Sequence, residues 1–187
     1  MNYLAHVFLS SKGAEQVGNF IGDFVKGREM DKYPAGVREG IVKHRAIDEF
    51  TDTHWEVKRA KEGMKAPFGR YAGVVLDMYF DHLLASHFSD YSAVKLRAFA
   101  RQFYWQLWQY RGILPKEVKG FMWHFILTNR LCRYATTKGL GESLRIMSHY
   151  KHFPVEAEVA VRFLEEHYAA LEAAFRKFFT EAIKMAY

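Results

Sequence analysis

Cysteine is nearly absent. The 187-residue chain has one, Cys132, so no disulfide can close within it, which fits a reducing cytoplasm. Proline is scarce too, at four residues, and no Ser- or Gly-rich stretch marks a linker. One domain spanning residues 1–187 is expected, long enough to bury a sizeable core. No segment reaches the roughly 18 uninterrupted apolar residues that a membrane helix needs, so membrane insertion is not expected. The opening "MNYLAHVFLSSKG" has no basic region and is interrupted by His6, which sets it apart from a secretory signal. Strand-like alternation is missing over any convincing length. So are a P-loop, GxSxG and GxGxxG, which argues against nucleoside-triphosphate, serine-hydrolase and dinucleotide chemistry. Zinc-finger spacing, RNP motifs and dense basic tracts are also missing, so nucleic acid is not an expected partner.

Aromatic residues are plentiful at 17%, and half the chain is hydrophobic. Apolar positions recur at helical spacing almost throughout. The pattern predicts an all-α fold of about seven helices. These cover residues 2–10, then 13–27, where Val17, Phe20, Ile21, Phe24 and Val25 share a face. A long helix follows from Pro34 to Gly63, then a break at "MKAPFG", and a helix from Phe68 to Ser86. Others cover 92–111, 115–131 and 139–151, and a last one runs from Pro154 nearly to the end. "RQFYWQLWQY" reads as packing rather than as a ligand channel, because aromatic stripes at this spacing usually face a core.

The polar residues that break this pattern carry the chemistry. In "GIVKHRAIDEFTDTH", His44, Asp48 and Asp52 recur every fourth residue and so line one helix face. "LDMYFDH" sets Asp77, Asp81 and His82 among apolar neighbours, "NFIGDFV" does so for Asp23, and "YLAHVFL" for His6. A carboxylate inside an apolar run is costly to bury unless it is paired or bound to a cation. Taken singly, His6 reads as a hydrogen-bonded core histidine, Asp23 as a helix cap, and Asp48 and Asp52 as partners of surface bases. Taken together they predict a divalent-metal site in the first 82 residues, with His6, Asp23, His44, Asp48, Asp77 and Asp81 as candidate ligands. With no thiolate pair, a mixed imidazole and carboxylate set suits Mn2+, Fe2+ or Mg2+, with zinc possible. Such an ion promotes phosphoester hydrolysis. Arg45 is the candidate phosphate clamp, with Arg59 and Arg70 behind it. Asp52 reads as a supporting residue. His54, His87, His124, His149, His152 and His167 share no spacing with acids and read as surface or core.

"MNYLAHVFLS", "GNFIGDFVKG", "GIVKHRAIDEFTDTH" and "AGVVLDMYFDHLLASHF", in that order, resemble the acyl carrier protein phosphodiesterase family, with the likeness concentrated in residues 1–90. The resemblance implies a divergent relative of the HD-type metal phosphohydrolases. It also implies hydrolysis of the phosphodiester joining 4'-phosphopantetheine to holo-acyl carrier protein, with a manganese-type cofactor. Asp23, His44, Arg45, Asp48, Asp77 and His82 are then the expected catalytic set, with His82 as a proton donor to the leaving serine. Arg45 stands where the HD signature has an aspartate. The net charge of +6 suits an acidic carrier protein as partner, and Lys26, Arg28, Lys58 and Arg59 are candidate docking residues. Two alternatives remain open: an HD-like hydrolase of a small phosphoester or nucleotide, and a helical binding module whose buried acids are purely structural.

Overall fold

The computed structural model describes residues 1–148 and 153–187 with their side chains, and the backbone of 149–151. The readings of His149 and His152 lie outside the described side chains. Among the described residues the fold is all-α, with twelve α-helices, three short 3-10 turns and no strand. The helices are α1 (Tyr3–Phe8), α2 (Ala14–Ile21), α3 (Ala35–Thr53), α4 (Trp55–Phe68), α5 (Ala72–Ser86), α6 (Phe88–Tyr91), α7 (Leu96–Gln109), α8 (Lys116–Leu127), α9 (Arg130–Arg133), α10 (Thr137–Lys151), α11 (Ala157–Glu166) and α12 (Tyr168–Ala186). The 3-10 turns cover Gly22–Phe24, Gly27–Lys32 and Gly69–Tyr71. None of the described helices is long and apolar enough to cross a membrane.

The expected helices, about seven, become twelve partly because long periodic runs are cut at histidines. His54 adopts ψ 131 and separates α3 from α4, and His167 separates α11 from α12. Apolar periodicity continues across each cut, so the pattern alone reads one helix. The short α6 lies beyond the expected helix end at Ser86, in a stretch where the pattern predicts no helix. The break expected at "MKAPFG" lies further on: α4 takes Pro67 into its last turn and stops at Gly69, whose φ of +52° is left-handed.

Helix α5 is central and packs against α1, α4, α10 and α12. Ten consecutive residues, Val75 to Leu84, are buried apart from the partly exposed Asp77. That explains its unbroken apolar character. Around it the core is built from rings. Phe80 lies 5.3 Å from Phe175 and 5.4 Å from Phe178, while Phe20 lies 5.1 Å from Phe103 and 5.2 Å from Phe125. Centroid separations of this size are those that aromatic pairs favour.

The tightest contact is between α2 and α3. Ala14, Gly18 and Gly22 follow each other every fourth residue and face Gly36, Gly40 and His44, also four apart. A Cβ on Gly40 would sit 2.1 Å from the Glu15 carbonyl oxygen, and one on Gly22 would sit 2.2 Å from the His44 ring. Backbone therefore lies against backbone, and only glycine permits the approach. Gly40→Ala is expected to force the two helices apart and cost about 2–3 kcal/mol. Gly63→Ala, on an open face of α4, is expected to add up to about 1 kcal/mol from helix propensity. Thermal unfolding of the two variants beside the parent checks both signs.

Candidate metal centre

The α2–α3 approach delivers His44 onto the turn that follows α2, and α1 lays His6 against it. The two imidazoles stack, with centroids 4.0 Å apart and planes inclined by 18°. Both rings are buried, His6 at 2% and His44 at 4% exposure.

Asn19 holds both rings. Its backbone oxygen accepts from His44 Nδ1 at 2.8 Å. Its side-chain Nδ2 donates to the His6 carbonyl oxygen and to Ser10 Oγ, so Oδ1 is left to accept from His6 Nδ1 at 2.8 Å. Each Nδ1 must therefore carry the hydrogen, and each Nε2 faces the opposite way with its lone pair, or a second proton, outward.

Both Nε2 atoms converge on Asp48. His6 Nε2 lies 3.2 Å from Asp48 Oδ1, and His44 Nε2 lies 3.1 Å from Oδ2 and 3.3 Å from Asp23 Oδ1. Nitrogen lone pairs facing carboxylate oxygens at this range repel unless a cation, proton or metal, lies between them. His44 has a proton to offer. Burial opposes its charge, but hydrogen bonds donated to Asp23 and Asp48 outweigh that and lift it to about 9. His6 does not: burial above all pushes it down to about 4. Its Nε2 is fully buried and makes no hydrogen bond. Asp48 is held well below the usual carboxylate range: burial opposes this, but the hydrogen bond from His44 and the nearby charge of the Met1 α-amine prevail. The bond to His44 likewise lowers Asp23.

An orphaned imidazole nitrogen aimed at an ionised carboxylate is an arrangement that could hold a divalent cation. Ligand atoms of His6, His44 and Asp48 all lie within 4.8 Å of one another. Each histidine has its second nitrogen anchored by Asn19, as ligating imidazoles usually do. Imidazole and carboxylate donors suit a manganese-type divalent ion.

The other anticipated residues are placed differently. Asp23 stands at the solvent edge of the cluster. Asp77, partly exposed, reaches it through the Met1 α-amine, which lies 3.6 Å from Asp77 and 3.4 Å from Asp48. Asp81 is not brought in. It is fully buried, and its two oxygens accept from the backbone N–H groups of Leu4 and Ala5 at 2.8 and 2.9 Å, capping α1. His82 is also elsewhere, its Nδ1 bound to the Tyr134 carbonyl oxygen at 2.7 Å. That places it apart from any proton transfer at the cluster. Arg45 lies beside the site but spends one guanidinium nitrogen on the carbonyl oxygens of Val25 and Gly27, clasping the loop after Asp23. Asp52 pairs with Lys61 at 2.7 Å. Asn19 is the residue that sequence reasoning passed over, although it sits in the same apolar stretch as Asp23, four positions earlier.

The fold and this cluster define an all-α protein with a buried histidine–carboxylate centre. Comparison with known proteins then gives the family: the model for "Acyl carrier protein phosphodiesterase" matches residues 1–182, and the chain belongs to that family of phosphodiesterases. Curated relatives bearing the same name include one from Enterobacter sp. (strain 638), 32% identical with 100% of this chain and 97% of the relative covered. Another, from Serratia proteamaculans (strain 568), is 30% identical over the same shares. One from Escherichia coli O157:H7 is 29% identical, again over 100% and 97%. No solved structure matches the chain, and the expected kinship with HD-type phosphohydrolases is not confirmed.

In the metal-free protein the raised His44 pKa has a consequence for stability. The imidazolium stabilises the fold fully below about 6.5, its unfolded value, and that stabilisation is lost as pH rises through about 9. The chelated protein is expected to lose about 2 kcal/mol between pH 6.5 and 9, and His44→Gln to lose none of it. Denaturant midpoints at both pH values measure this.

Proposed function

We propose that this protein is a divalent-metal-dependent phosphodiesterase that removes 4'-phosphopantetheine from holo-acyl carrier protein, leaving apo-carrier. The observation that carries the reading is the convergence of the His6 and His44 Nε2 atoms on Asp48, with His6 Nε2 lacking any hydrogen bond. The names of the relatives supply the substrate.

His6, His44 and Asp48 would hold the ion, with Asp23 alongside. When bound, the ion offsets charge on the phosphoryl oxygens and makes water a nucleophile near neutral pH. The chain's own residues do the rest. Asn19 fixes both rings by Nδ1, so each Nε2 is aimed before any ion arrives, and the change needed is loss of the His44 proton rather than movement of the rings. Asp23, an ionised carboxylate at the solvent edge, is the group able to take a proton from attacking water. Asp77, which burial lifts above the usual carboxylate range, is the acid of the set able to hold one. Two carboxyl groups with pKa values driven apart in one site are the usual basis for dividing base and acid roles. Arg45 positions Asp23 by clasping the loop from Val25 to Gly27. The net charge of +6 favours encounter with an acidic, helical carrier, and the lone Cys132 fits action in the reducing cytoplasm.

Purified protein incubated with holo-carrier and Mn2+ is expected to reduce the carrier's mass by one phosphopantetheinyl group, and EDTA to abolish the loss. An intact carrier in the presence of confirmed bound metal would overturn the reading. His6→Ala and Asp48→Ala are each expected to lower kcat/KM at least a hundredfold, in the range found when ligands or their supports are removed. Metal binding has its own signature. His44 keeps its proton to about 9 while His6 has lost its own above about 4, so binding at pH 7 to 8 expels about one proton. The logarithm of Kd plotted against pH should then have a slope of magnitude near one.

A further inference from the structure

A cleft of about 460 Å³ opens between α8 and α10, within the size range of small-ligand sites. Gly120 and Phe121 of α8 form one wall, and Ile146 and Met147 of α10 form the other. Met78 of α5 and Tyr3 of α1 close it from within. Tyr3 joins cleft to cluster. Its ring lies 6.1 Å from Phe121, Phe121 lies 5.8 Å from Phe24, the neighbour of Asp23, and the Tyr3 phenol feels the charges of both Asp23 and Arg130.

Arg130 is the buried charged side chain of this cleft, whose other polar members include Glu117, His124, Tyr134 and Ser143. It is 92% buried, with 8% of its surface exposed. Its one side-chain hydrogen bond among the described residues runs from Nη1 to Ser143 Oγ at 2.8 Å, and no described carboxylate lies within ion-pair distance. A buried guanidinium normally has an acid or several acceptors, because five N–H donors otherwise go unsatisfied. Here the remaining donors border the cleft. The fitting occupant is flexible and largely apolar, and carries carbonyl oxygens along its length.

We propose that this cleft binds the pantetheine arm of the substrate, with Arg130 donating to the arm's amide carbonyl oxygens while its phosphodiester sits at the metal cluster. The inference rests on the phosphodiesterase reading and adds the site that recognises the arm. Aromatic and thioether side chains pack against the arm's methyl and methylene groups. Arg130 supplies the polar recognition that discriminates best when left unpaired without the ligand.

The test uses Gly120→Leu and Arg130→Met in the full-length protein. A side chain at Gly120 meets nothing within 4 Å, so Gly120→Leu should raise the melting temperature while filling the cleft, and it guards against loss of fold as an explanation. Two metal-loaded activities are compared, on holo-carrier and on bis(p-nitrophenyl) phosphate, which has no pantetheine arm. In both variants kcat/KM for the carrier is expected to fall at least tenfold relative to that for the small diester, through KM. An unchanged ratio in a folded Gly120→Leu overturns the proposal. A separate calorimetric titration uses pantetheine itself, without phosphate. Saturable binding by the parent that weakens at least tenfold in both variants supports the cleft, and its absence in the parent overturns it. Should the parent fail to cleave holo-carrier, the phosphodiesterase reading falls, and the pantetheine titration alone decides the cleft.

Discussion

The geometry of the histidine–carboxylate cluster depends on how closely α2 and α3 approach. Two helices normally stand 8–10 Å apart because side chains separate them. Here small residues at fourfold spacing remove that spacer along both helices, and the backbones touch. The contact places the His44 ring over Gly22, within reach of the Asn19 carbonyl oxygen and the Asp23 carboxylate. A larger residue anywhere along this seam would move the imidazole before it altered any ligand. Glycines far from the chemistry therefore act as positioning residues for it.

Asn19 is the second constraint, and it works through hydrogen-bond accounting. One side chain and its own carbonyl group satisfy both histidine Nδ1 atoms, the His6 carbonyl oxygen and Ser10. Each satisfied donor or acceptor removes one alternative orientation, so the two Nε2 atoms face Asp48 with no further freedom. The charge pattern then follows from burial. Two stacked imidazoles cannot both be charged in so small a space, and the one with two carboxylates keeps its proton.

Much of this was legible in the residues themselves. Polar side chains stranded in apolar runs pointed to His6, Asp23, His44 and Asp48, which the fold brings together. The same signal also marked Asp81 and His82, which satisfy backbone groups instead. A buried acid needs a partner, but the sequence does not say whether that partner is a cation or a pair of N–H groups. Arg45 was read as a clamp because it follows His44, yet consecutive residues on a helix point in different directions, and it binds the neighbouring loop. Asn19 was overlooked because a neutral amide is a weaker anomaly than a charge. The helix number was underestimated at His54 and His167, where the chain turns without glycine or proline and the apolar period carries on, and after Ser86, where the short α6 follows.

Asp81 ties the beginning of the chain to its centre. Helix α1 has six residues, far short of the roughly 12–15 at which an isolated helix holds together in water. Its first N–H groups find their acceptor 77 positions along, in α5. His6 therefore has no fixed place until α5 is built and α1 has docked on it. Closing so long a loop is a slow, non-local event. His44 and Asp48 share one helix, whereas His6 joins them only through a contact that spans much of the chain. The pairing of His6 with Asp48 therefore reports on the tertiary fold as a whole and not on any single helix.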